Sequence, residues 1–234
     1  SKGSVTIVHH PDVRRMLLTQ KAHVEGARAF TYWTGLMIDK EHGHPDEKVR
    51  KEMADLVALL TPIVKGFITE QSYVSTTLGM QVFGGHGYVR DARITMIYEG
   101  TNGIQALDLL GRKVLSDMGA KLTKFGKIVT DLVKAESGND AMKEFIGPLA
   151  ALGQEVQKVT LEIGQKAMKN PDEVGAASVP YMHLLGHFVY AYFWARMAKV
   201  ALDKQAEGAF YATKLATARF YFAKMLPETA MNLQ

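Results

Sequence analysis

The sequence predicts an all-α protein built as two helical bundles in tandem, residues 1–117 and 118–234. Three observations predict it. Long segments step their apolar residues by threes and fours, the spacing of one buried helix face. Helix-start signals, in which Pro or a capping residue sits beside acids, recur along the chain. No segment carries the sustained alternation of a half-buried strand.

Ser1 to His9 reads as short and extended. His10-Pro11-Asp12 reads as a helix start, because Pro at an early helical position loses no hydrogen bond. Val13, Met16, Leu17, Val24 and Ala27 continue that helix to about Lys40. Gly43-His44-Pro45-Asp46 is a turn and a second start. Val49, Met53, Leu56, Val57, Leu60, Ile63, Val64 and Phe67 form the cleanest apolar face in the chain. Pro62 lies inside that pattern, which continues beyond it, so a kink is expected rather than an end. Two long helices joined by a short turn pack antiparallel. Ile104 to Val114 is helical, with Thr101 as its N-cap, its hydroxyl accepting a backbone N–H. Lys121 to Val133 suits an amphipathic helix with lysines outside. Ser137-Gly138-Asn139-Asp140 is a turn with a new cap, and a helix follows from Ala141 to about Lys169. Asn170-Pro171-Asp172-Glu173 is another start signal. Pro180 to Lys204 is apolar throughout and is expected to be the most buried helix of its half. Phe210 to Leu226 is the last helix, ended by Pro227.

Composition narrows the function. With no cysteine among 234 residues, thiolate chemistry and disulfides are excluded. No apolar run reaches the ~20 residues of a membrane helix, and the first residues lack a signal core. A cytoplasmic or organelle-matrix protein is the expectation. A net charge of +4 is too mild to argue for nucleic acid. His183 and His187 share a helix face but lack a third ligand, so packing is their expected role and no metal site is assigned. His9, His10, His42 and His44 are expected in solvated turns. Lys113, Lys121, Lys124 and Lys127 are expected on a solvated face, and Tyr190, Tyr192, Phe193 and Trp194 in the core.

Between the helices of the first half, the pattern breaks. Residues 81–105 read Q-V-F-G-G-H-G-Y, then V-R-D-A-R-I, then T-M-I-Y-E-G-T-N-G-I-Q. Gly84, Gly85, Gly87, Gly100 and Gly103 fall in this stretch, and one acid, Glu99, lies between a tyrosine and a glycine. Glycine permits positive φ and close approach of another group. The stretch is not a P-loop, because no G-K-[ST] follows, and not a Rossmann fingerprint, because no strand precedes it. On composition alone, a glycine-rich connection between helices explains it equally well.

As a constellation, these motifs resemble the C-terminal helical domain of the acyl-CoA dehydrogenase family, with H-P-D-V-R-R-M-L-L at residues 10–18 resembling the start of that domain. The second half, with Y-A-T-K-L-A-T-A-R-F-Y-F and then L-P-E-T near its end, resembles the helical domain appended in larger bacterial members, similar to the enzymes acting on methylthio-propionyl-CoA. The resemblance implies an α,β-dehydrogenation of an acyl-CoA thioester, with FAD as cofactor and Glu99 as catalytic base. A thioester α-proton is weakly acidic, so such a base must be positioned, partly desolvated and tuned toward working pH. Developing enolate charge must be stabilised by fixed donors. The resemblance places Glu99-Gly100 on the amide side of that stabilisation, with Gly100 against the substrate thioester.

The resemblance also implies that Gln81 and Gly85 touch the FAD of a neighbouring subunit and that Thr101 lies near the phosphates of the FAD in its own. A homo-oligomer and an electron-transfer flavoprotein partner follow. Where the family often has a cofactor-contacting glutamine, this chain has Gly103. The segment joining Tyr88-Val89 to Arg90 is shorter than in the family. The family's N-terminal helical and central β-domains have no counterpart in these residues. The implied reading is the C-terminal portion of an enzyme, inactive alone. Two alternatives are a non-catalytic helical scaffold or oligomerisation module, and a basic nucleic-acid binder that no motif supports.

Overall fold

The computed structural model describes residues 5–87 and 101–233. Among these there is no strand. The first turn is a 3-10 turn at Ile7–His9, in which the His9 N–H bonds the Thr6 carbonyl at 3.1 Å. The extended start expected for residues 1–9 is corrected there. Helix α1 spans Pro11–Gly43, with Pro11 in the first turn and His10, still extended, as N-cap. Helix α2 spans Glu47–Phe83, and Asp46 accepts from the Lys48 N–H at 2.9 Å. It runs through Pro62 as one element. The two helices pack along their lengths. The Gln20 side chain, early in α1, lies beside Gly79, late in α2, which fixes the antiparallel sense.

Helix α3, Asn102–Leu107, is shorter than the pattern suggests. It widens into a π-helix at Asp108–Val114 and tightens into a 3-10 turn at Leu115–Asp117. Thr101 does hold the N-cap position of α3. Its backbone is left-handed (φ 57°, ψ 42°), not the extended conformation of a hydroxyl cap, and it makes no side-chain cap hydrogen bond. The expected cap is corrected to a turn residue.

Helix α4 spans Ala120–Glu136 and α5 spans Lys143–Ala167. Asn139 caps the 3-10 turn between them by accepting from the Ala141 N–H at 3.2 Å. Helix α6, Asp172–Asp203, joins two expectations into one element: it begins at the Asn170-Pro171 signal and carries Pro180 inside. Helix α7, Ala209–Phe220, widens into a π-helix at Tyr221–Met225, tightens at Leu226–Glu228 and ends in α8, Thr229–Asn232. Pro227 therefore opens a turn; it does not stop the chain.

Every residue from Leu184 to Ala195 is buried. A helix apolar on all sides has no solvent face and must be surrounded. Helix α6 is surrounded by α1, α2, α3, α5, α7 and α8. The helix of the second half thus supplies the core of the first. Phe67 of α2 is fully buried and stands edge-on to His183, His187 and Tyr190 of α6, with centroids 5.8, 5.1 and 5.0 Å away. Gly186 makes the approach possible, because a Cβ there would sit 2.3 Å from the Phe67 ring. Lys124 of α4 pairs with Asp55 of α2, and Lys121 with Asp117, so part of the expected lysine face is engaged in ion pairs.

Candidate functional site

The last turn of α2 carries the glycine motif. Gln81 is exposed there, and its carbonyl accepts from the Gly84 N–H at 3.2 Å. Gly84 leaves the helix with φ 60°, a value side chains resist. Gly85 is exposed, and a Cβ on it would meet nothing within 4 Å. Gly87 is the opposite case. It is buried against α2, and a Cβ would fall 2.6 Å from the Met80 carbonyl oxygen. Thr101 is exposed at the start of α3, its carbonyl accepting from the Gln105 N–H at 3.0 Å. Gly103 is also exposed, with open space around it. Ala106, Leu109, Leu110 and Val114 anchor this segment in the core.

The structure does not bring Gln81 and Thr101 together. Gln105 rests against Gly66 in the middle of α2. Gln81 lies about four helical turns further along, roughly 22 Å at the helical rise. Glu99 and Gly100 lie outside the described residues, as do Arg90 and Asp91 and the junction from Tyr88 to Arg90.

A second polar group, largely missed by the sequence reading, lies where the halves meet. His187 is buried and its Nδ1 is 3.2 Å from the Tyr221 hydroxyl. That hydroxyl donates to the His187 carbonyl at 3.1 Å. Having spent its one proton, it accepts from His187, which places the imidazole proton on Nδ1 and leaves Nε2 as an acceptor. Nε2 faces Glu228 at 3.9 Å. Burial lowers the His187 pKa to about 3, with His23 and His183 adding to the effect. Burial likewise lowers His23 of α1 to about 4. Burial pushes the Glu228 carboxyl up, partly countered by His183. The Tyr190 hydroxyl of α6 donates to the His23 carbonyl at 3.3 Å. His183 takes a different partner, Glu70 of α2, at 2.6 Å. His187 thus lies in the core, and His183 pairs across to α2. Among the described residues, no group of three His, Asp or Glu is placed to hold a metal ion. His23 and Glu70 carry no local motif, so only their distant partners could have singled them out.

Two family models match the chain, one in each half. "Acyl-CoA dehydrogenase, C-terminal domain" matches residues 2–115. "Acetyl-CoA dehydrogenase C-terminal like" matches residues 122–234. The chain belongs to the acyl-CoA dehydrogenase family. It is 36% identical to 3-methylmercaptopropionyl-CoA dehydrogenase of Ruegeria pomeroyi, over 97% of this chain and 41% of that protein. It is 35% identical to the broad-specificity linear acyl-CoA dehydrogenase FadE5 of Mycobacterium tuberculosis, over 95% of this chain and 40% of that one. A butyryl-CoA dehydrogenase of Syntrophomonas wolfei is 29% identical over 96% and 39%. The chain thus spans about two fifths of the length of these curated relatives. No helix among the described residues is long and apolar enough to cross a membrane.

Proposed function

We propose that this chain is the C-terminal portion of an FAD-dependent acyl-CoA dehydrogenase, divided near residue 118 into a domain that carries site residues and an appended helical domain. The observation that carries the reading is the pair of family matches, which run through both halves with I-Y-E-G-T at residues 97–101 inside the first. Glu99 takes the α-proton of the acyl-CoA thioester. The amide at Glu99-Gly100 donates to the thioester oxygen as negative charge develops there, a role that pre-set donors fill without reorganising.

The exposure of the motif residues supports the reading. Gln81, Gly85 and Thr101 are all exposed, and Gly85 has room around it. FAD, when bound, supplies the acceptor for the β-hydride. The length of α2 between Gln81 and Gly66, where Gln105 one turn after Thr101 rests, supports their touching two different cofactors, Gln81 and Gly85 that of a neighbouring subunit and Thr101 its own. A homo-oligomer follows, with an electron-transfer flavoprotein as the oxidant of the reduced enzyme. The protein acts away from membranes and in the cytoplasm, and this chain alone does not turn over.

The test uses the longer enzyme. Glu99→Gln is expected to lower the rate of acyl-CoA dehydrogenation at least ~10³-fold while leaving the visible flavin spectrum in place. A near-normal rate would remove Glu99 as the base. Loss of the flavin band in the unmutated longer enzyme would instead favour the scaffold reading.

A further inference from the structure

An apolar cavity of about 360 Å³ opens between α1, α6 and α7. Its volume falls within the range of small-ligand sites, roughly 300–1,000 Å³. Trp33 of α1 and Phe193 of α6 form one wall, edge to face at 5.7 Å. Phe210, at the start of α7, forms the opposite side and is 67% exposed. A phenyl ring left in water at a cavity mouth gains free energy from any apolar group that covers it. Val200 and Ala201 line the cavity between these walls.

The charges around it have one sign in excess. Arg196 lines the cavity, with its Nη1 3.5 Å from the Tyr192 hydroxyl and its guanidinium 5.6 Å from the Tyr192 ring. No carboxylate among the described residues lies within ion-pair distance of it. Lys214, also in the lining, pairs with Glu25 at 2.7 Å, but Lys21 holds the same carboxylate at 2.7 Å. Two ammonium groups therefore share one carboxylate. Burial raises the Glu25 carboxyl, yet the two lysines outweigh it and hold it below the usual range, so Glu25 stays ionised and spoken for.

We propose that this cavity binds an amphipathic monoanion, a medium-chain carboxylate whose chain lies against Trp33, Phe193 and Phe210 and whose head pairs with Arg196. Charge complementarity selects the head, because Arg196 offers a planar fork that matches a carboxylate. The apolar walls select the tail. None of its lining residues has a part in the proposed dehydrogenase chemistry, so the site stands whether or not that chemistry does.

The test is a calorimetric titration of the 234-residue chain with decanoate, below its micellar range and at low salt. Saturable one-to-one binding is expected. Decanol, which keeps the chain and loses the charge, is expected to bind at least about tenfold more weakly, and so is decanoate to Arg196→Gln. Val200→Trp, a substitution at a half-exposed lining position, should fill the mouth and abolish binding. Far-UV circular dichroism checks that both variants keep their helices. The proposal is overturned by any of three results: no saturable binding, equal binding of decanol and decanoate, or unchanged binding in both variants. The last would place the ligand elsewhere, as in the larger cleft of about 540 Å³ between α4 and α5. Should either variant lose its fold, the decanoate-to-decanol ratio on the unmodified chain still decides.

Discussion

The middle of α6 and the last turn of α2 are built by opposite rules. Around α6, every residue from Leu184 to Ala195 is buried, and a single added methyl at Gly186 collides with a buried ring. At the end of α2, Gln81 and Gly85 face outward, and a methyl on Gly85 meets nothing. Gln81 and Gly85 of the motif stand in open space, while Gly87 two residues on is buried against α2. Gly85 is therefore expected to be cheap to change in stability, and Gly186 expensive.

The largest expected effect is acid destabilisation through the buried histidines. His187 and His23 have folded pKa values of about 3 and about 4, both below the unfolded value near 6.5. The unfolded chain thus binds protons first. Stability is full above pH 6.5 and falls as pH drops through 6.5 toward 4, by up to about 1.4 kcal/mol per pH unit for each histidine. Glu228, whose carboxyl is pushed up by burial, gives back part of that loss. Urea unfolding at pH 7, 6 and 5 measures the slope. A flat profile would mean that the histidines are not held neutral by the fold.

Next is Gly186→Ala. The new methyl overlaps the Phe67 ring, which is fully buried and has nowhere to retreat. A loss of about 1–3 kcal/mol is expected, read as a lower urea midpoint at unchanged slope. The smallest effect is the sharpest control. Gly85→Ala should change stability by less than about 0.5 kcal/mol, because the added methyl points into open space. In the longer enzyme, the same substitution is expected to weaken FAD retention. A large stability loss at Gly85 would erase the contrast between the two regions.

Much of this architecture was legible in the sequence because it is local. Pro11, Asp46 and Asn139 mark helix starts by their own chemistry, and the apolar steps along α2 need no knowledge of a partner. The run around Tyr190 and Trp194 announces burial by being apolar on every side. What was not legible depends on distant residues. The widening at Asp108–Val114 and at Tyr221–Met225 has no signature in composition. Thr101 has the side chain of a cap but the backbone of a turn, a choice that tertiary context makes. His23 finds Tyr190 across a separation of 167 residues, beyond any periodicity. Of the candidate site, Gln81, Gly85 and Thr101 are exposed, and their assignment, like that of Glu99 and Gly100, rests on the motif.

The sharing of α6 has a temporal consequence. A chain leaves the ribosome from its N-terminus, and its domains generally fold in that order. The hairpin of α1 and α2 can form early, but Phe67 and Phe30 have no aromatic neighbours until Tyr190 and Phe193 have been made. During synthesis of the intervening residues, the apolar stripe of that hairpin stays wet and open to wrong partners. The first half of this chain is written before the second and finished only with it.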